Sequence, residues 1–83
     1  MTLVRTAERT LSLFEVFEKV RQALNLAEIA KAMDLPLSTC RNLVGTLLER
    51  GYMYSLSQKK PLYPSREILH IVENIVAHDA AIA

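Results

Sequence analysis

The chain has 83 residues, room for one small domain with a modest core but not for a binding domain plus a separate sensor or catalytic domain. Apolar residues make up 51% and charged residues 23%, too hydrophobic for a disordered tail and too interrupted by charge for a transmembrane span, so a folded, soluble domain is expected. The net charge of +1 taken alone argues mildly against a polyanionic partner, yet its distribution reverses that reading: residues 36–66 carry Arg41, Arg50, Lys59, Lys60 and Arg66 against the single acid Glu49, while acids outnumber bases in the remainder.

The segment Met1–Glu8 has no basic stretch followed by an apolar run and a small-residue cleavage site, so a cytoplasmic location is expected. Cys40 is the only cysteine, which excludes an internal disulfide and a cysteine-based metal cluster within one chain. His70 and His78 lie eight apart with no cysteine partner, so neither a metal nor a cofactor is expected.

The first periodic segment, Thr6 to Val20, places Ala7, Leu11, Phe14 and Phe17 on one helical stripe with Leu13, Val16 and Val20 beside it. A stripe that wide suits a helix covered by its own domain and by a second subunit. Asn25-Leu26-Ala27-Glu28 has a side-chain acceptor followed three residues later by Glu, the pattern of a capping box. A second helix of about two turns should start there and stop near Asp34-Leu35-Pro36, because the residue before proline is pushed out of the helical region. After Pro36, Cys40, Leu43, Val44, Leu47 and Leu48 recur at helical spacing, predicting a third helix over residues 37–50 with Gly51 as its stop. Its opposite face is small and polar: Ser38, Thr39, Arg41, Asn42, Gly45, Thr46 and Glu49. Cys40 falls on the apolar stripe and is expected to be a buried small hydrophobe.

Tyr52–Ser55 and Leu62–Tyr63 are two short strand candidates around a polar turn, residues 56–61, that contains both lysines. From Ser65 onward, Ile68, Ile71, Val72, Ile75, Val76 and Ile82 predict a long amphipathic fourth helix. The expected fold is therefore mainly α, a winged helix-turn-helix: a three-helix core plus a small antiparallel hairpin wing over residues 1–64, then a C-terminal linker and dimerisation helix over 65–83.

In that motif the helix after the turn enters the major groove of DNA and the hairpin touches the backbone or minor groove. Arg bonds guanine O6 and N7, and Asn bonds adenine N6 and N7, which makes Arg41 and Asn42 the candidate base readers. Ser38 and Thr39 at the helix start suit phosphate or short-range base contacts, and Gly45 and Thr46 leave room for close approach. Lys59 and Lys60 would add affinity with little sequence information.

Arg5-Thr6-Ala7-Glu8-Arg9-Thr10-Leu11-Ser12-Leu13-Phe14, Leu26–Lys31, Asp34–Leu47 and Gly51-Tyr52 resemble the successive blocks of the isocitrate lyase regulator (IclR) type of DNA-binding domain. The likeness spans roughly residues 4–69, and its most specific piece is Leu35-Pro36-Leu37-Ser38-Thr39 feeding a leucine-rich helix that ends in Glu-Arg-Gly-Tyr. It implies a homodimeric bacterial repressor or activator that binds a palindromic operator, with a small-molecule effector sensed by a following domain that this chain lacks. The chain departs from that pattern in its wing, Ser57-Gln58-Lys59-Lys60-Pro61 in place of a tight Asp-Gly turn, and in Pro64 where a glycine is usual. The apolar end, Ala80-Ala81-Ile82-Ala83, reads as a cut within a longer regulator.

Two other readings compete. The same fold can serve as a protein-interaction or dimerisation module without DNA binding. An enzyme would need a glycine-rich phosphate loop, a carboxylate pair or a Ser/His/Asp arrangement; none is visible, and no catalysis is expected.

Overall fold

Helix α1 spans Arg5–Val20 in the computed structural model, which describes residues 2–56 and 61–78. Leu13 and Phe17, one turn apart, are its buried residues, with Phe14 and Val16 partly buried beside them. Leu11 was expected on the same stripe as Phe14 and Phe17 but is 66% exposed. At about 100° per residue it stands about 140° around the helix from the buried Leu13–Phe17 line. Arg21 ends the helix in the left-handed region (φ 55°), its N–H bonded to the Phe17 carbonyl at 2.9 Å and its Nε to the Glu18 carbonyl at 3.1 Å.

The capping box expected at Asn25 opens α2 (Leu26–Met33). The Glu28 N–H donates to Asn25 Oδ1 at 2.8 Å, and the Asn25 N–H donates to Glu28 Oε1 at 2.9 Å. Two of the four otherwise orphaned donors at the helix start are thereby satisfied, by side chains four residues of sequence fix in place. The far end closes on Asp34, left-handed at φ 54°, with Leu35 N–H on the Ala30 carbonyl at 2.9 Å. Asp tolerates this conformation better than most side chains, so the stop is made one step before the Leu35-Pro36 restriction acts.

Pro36 then caps α3 (Leu37–Glu49), its carbonyl accepting from the Cys40 N–H at 3.0 Å. Gly51 ends the helix at φ 81°: its N–H bonds the Leu48 carbonyl at 3.1 Å, and the Tyr52 N–H bonds the Leu47 carbonyl at 2.8 Å. This paired closure needs a left-handed residue, which glycine supplies without a Cβ clash. Because Tyr52 is spent on it, the first strand begins a residue later than the sequence pattern suggests.

Strand β1 (Met53–Ser55) pairs antiparallel with β2 (Leu62–Pro64), in the register Met53 to Pro64, Tyr54 to Tyr63 and Ser55 to Leu62. Leu24, in the link between α1 and α2, pairs with the other edge of β2 through reciprocal bonds of 3.0 and 2.7 Å between Leu24 and Leu62. That bridge straps the hairpin to the helical core. Ser65 adds a second strap: its Oγ donates to the Gly51 carbonyl at 2.6 Å and accepts from the Glu67 N–H at 3.2 Å.

The core is Leu13, Phe17, Leu24, Ile29, Ala30, Cys40, Val44, Leu47, Met53 and Leu62, drawn from three helices, the link and both strands. Phe17 meets Tyr63 edge to face, ring centroids 5.7 Å apart. Helix α4 (Glu67–Ala77) begins two residues later than Ser65, which is occupied in the strap, and no residue of α4 is buried. Its expected extension to Ile82 falls outside the described residues.

Candidate nucleic-acid interface

The outward face of α3 follows from what its inward face must bury. Cys40, Val44 and Leu47 lie in the core, so at about 100° per residue the opposite line runs through Ser38, Asn42, Gly45 and Glu49, all exposed. A Cβ built at Gly45 would meet nothing within 4 Å. The fold itself therefore does not require glycine there; what glycine leaves is a smooth stretch of helix open to a large partner.

The two flanks of α3 differ. On the wing side a groove of about 650 Å³ is lined by Leu26, Leu37, Val44, Leu48 and Leu62, with Arg41 and Gly45 at its α3 wall. On the α1 side a smaller cleft of about 190 Å³ is lined by Thr6, Arg9 and Thr10 of α1 and by Thr39, Asn42 and Thr46 of α3. The sequence-predicted residues divide accordingly. Ser38 faces outward, Arg41 leans toward the wing, and Asn42 faces outward while also lining the α1-side cleft with Thr39 and Thr46. Lys59 and Lys60 lie outside the described residues.

Hydrogen bonding separates these side chains further. The Thr46 hydroxyl donates to the Asn42 carbonyl at 3.0 Å and that of Thr10 to the Thr6 carbonyl at 2.9 Å, so both protons are taken up by their own helices. Arg50, counted with the basic segment, sits over the Tyr52 ring with its guanidinium carbon 6.0 Å from the centroid. Arg9, Arg41, Asn42, Thr6 and Thr39 make no side-chain bond to the rest of the described residues. Cations and amides left free on one surface are available to a ligand.

Arg9 and Thr6 were not among the sequence-predicted site residues, because the count of charge along the chain put them in the acidic remainder. The signal was present locally: Arg5 and Arg9, and Thr6 and Thr10, stand at i, i+4 on α1. Cys40 carries no ligand role. It is fully buried, its Sγ lies 3.8 Å from the Leu26 carbonyl, and burial pushes its thiol pKa up. Among the described residues no group of three or more His, Cys, Asp or Glu could hold a metal ion, and no helix is long and apolar enough to cross a membrane.

A short helix, a tight turn, a helix with a small polar outer face and a hairpin strapped against it define a winged helix-turn-helix domain, the DNA-binding class found in transcriptional regulators. The chain belongs to the IclR helix-turn-helix domain family, whose model matches residues 6–56. Among solved structures it is similar to an IclR family transcriptional regulator from Brucella abortus, with TM-score 0.79 and 23% identity over 94% of this chain and 30% of that one. It is also similar to HmgR of Pseudomonas aeruginosa, with TM-score 0.72 and 18% identity over 95% of this chain and 32% of that one. The chain thus spans about a third of the length of either structure. No curated protein is matched.

Proposed function

We propose that this domain binds a palindromic operator as a homodimer, with α3 in the major groove and the 56–61 wing on the backbone or minor groove. The observation that carries the reading is the outward face of α3: exposed Ser38 and Asn42, a bare Gly45, and an Arg41 with no partner among the described residues. Arg41 and Asn42 read base edges, Ser38, Thr39 and Thr46 fix the approach, and Lys59 and Lys60 neutralise phosphates.

Residues 1–64 form the DNA-binding unit and 65–83 a linker that also pairs the subunits. Support for pairing comes from apolar side chains that the domain leaves uncovered: Leu3, Val4 and Leu11 at the start, and Leu69, Ile71, Val72, Ile75 and Val76 on α4. A two-fold dimer would present its two recognition helices to successive major-groove faces about 34 Å apart, which is what a palindrome requires. Control by a small molecule is assigned to an effector-binding domain outside these residues, and the setting is the cytoplasm, where the operator is.

The test is the affinity of the purified 83-residue chain for a random-sequence duplex across a salt series. A steep loss of affinity with rising salt, shallower after Lys59 and Lys60 are both changed to Gln, is the expected result. Absence of binding at the lowest salt would overturn the reading in favour of a protein-interaction module on the same fold.

A further inference from the structure

Helix α3 with its side chains is about 10–12 Å across, close to the ~12 Å width of the B-DNA major groove. A helix seated there fills the groove, so the phosphates of the two bordering strands fall along its flanks rather than on its outer face. The chemistry of the flanks then decides which of them can hold a phosphate. The wing-side flank is walled mainly by apolar side chains, Leu26, Leu37, Val44, Leu48 and Leu62, and its one described cation, Arg41, is the proposed base reader. The α1-side flank is a small cleft whose open wall carries one cation, Arg9, and a ring of threonines.

From this we infer a phosphodiester site between α1 and α3, in which Arg9 together with the Thr6 and Thr39 hydroxyls holds one backbone phosphate. The inference rests on the DNA-binding reading and adds to it a residue and a contact from α1, outside the helix-turn-helix proper. Four observations converge. Arg9 is half-buried, and its guanidinium has no carboxylate partner among the described residues. Of the threonines in the cleft, Thr10 and Thr46 have given their protons to backbone carbonyls, which leaves Thr6 and Thr39 as the free donors. The cleft of about 190 Å³ accommodates one phosphate with a few waters at about 30 Å³ each. Thr39 and Asn42 belong to both the cleft and α3, so a phosphate seated there fixes the depth and rotation at which Asn42 meets the bases.

The contact carries no sequence information, and that separates it from Arg41. In the 83-residue chain, Arg9→Gln should weaken binding to a random-sequence duplex and to a selected operator alike, by about eightfold at 0.1 M salt, the gain one released counterion supplies relative to 1 M. The log–log salt slope should fall by about one, and Arg9→Lys should restore it. In parallel, neutralising operator phosphates one at a time as methylphosphonates should reveal a position that costs the wild-type chain affinity and costs Arg9→Gln nothing, a readout that uses the unaltered protein as its reference. If the wild-type chain shows a salt-dependent affinity that Arg9→Gln leaves unchanged in slope, the phosphodiester site is refuted and the DNA reading stands. A loss confined to the selected operator would also refute it, by making Arg9 a base reader. No binding by the wild-type chain would overturn both.

Discussion

Arg41 and Arg9, on opposite flanks of α3, are both guanidiniums without a partner among the described residues, and they differ in what they can reach. Arg41 stands at the α3 wall of the wing-side groove, one turn into the helix, where early side chains of a recognition helix meet base edges. A bidentate bond to guanine discriminates against the wrong base by about 1–3 kcal/mol. Arg41→Ala should therefore lose affinity for the selected operator by that amount while its affinity for random duplex stays near wild type. Equal losses on both duplexes would make Arg41 another phosphate contact. At the same scale Cys40 illustrates a side chain whose chemistry is suppressed by its place: buried against the Leu26 carbonyl with its thiol pKa raised, it acts as a small hydrophobe.

Among the elements, α2 is the one held most by its ends. Eight residues are too few for a helix to persist on intrinsic propensity, so the capping box at Asn25 and the closure at Asp34 supply what length does not. Asn25→Ala removes the acceptor for the Glu28 N–H and should cost about 1 kcal/mol in chemical denaturation, with an unchanged dependence on denaturant. A change below a few tenths would mean that tertiary packing alone fixes the helix start. The cap also has a positional consequence, because Asn25, Leu26 and Ala27 form part of the groove beside Arg41, next to the Leu24 bridge that holds the hairpin. Helix start, link and wing are thus one mechanical unit, and loosening the cap should loosen the wing-side flank of α3 before it disturbs the α1 side.

At the scale of the whole molecule, the Cα radius of gyration is 14.3 Å, against about 12 Å for a compact domain of this length. Helix α4 follows the hairpin after Ser65 and buries none of its residues. Exposed Ile75 and Val76, together with Leu11 on α1, are surfaces that gain by burial against a second copy. Sedimentation of the chain should show a dimer that Ile75→Glu with Val76→Glu converts to monomer, with the helical content of the core retained. Only monomer for the wild-type chain, at concentrations well above its operator affinity, would remove the paired-helix model and leave single-site binding.

The sequence alone determined the order of elements, because its signals are local. Asn25 and Glu28 are three residues apart, Gly51 closes the turn it sits in, and the helical spacing of Cys40, Val44 and Leu47 fixes the buried line of α3 and with it the outward Ser38 and Asn42. What it could not determine depends on contacts between distant residues. The α1 stripe turned out to centre on Leu13 and Phe17 because α2 and β2 lie on that side, and Leu24 became a sheet partner only because β2 returns past it. Arg9 joined the candidate surface for the same reason. Charge counted along the chain placed it with the acids, while the fold set it in one cleft with Thr39 and Asn42. Periodicity specifies which face of a helix is buried, but only the tertiary arrangement decides which side chains from separate helices share a cleft.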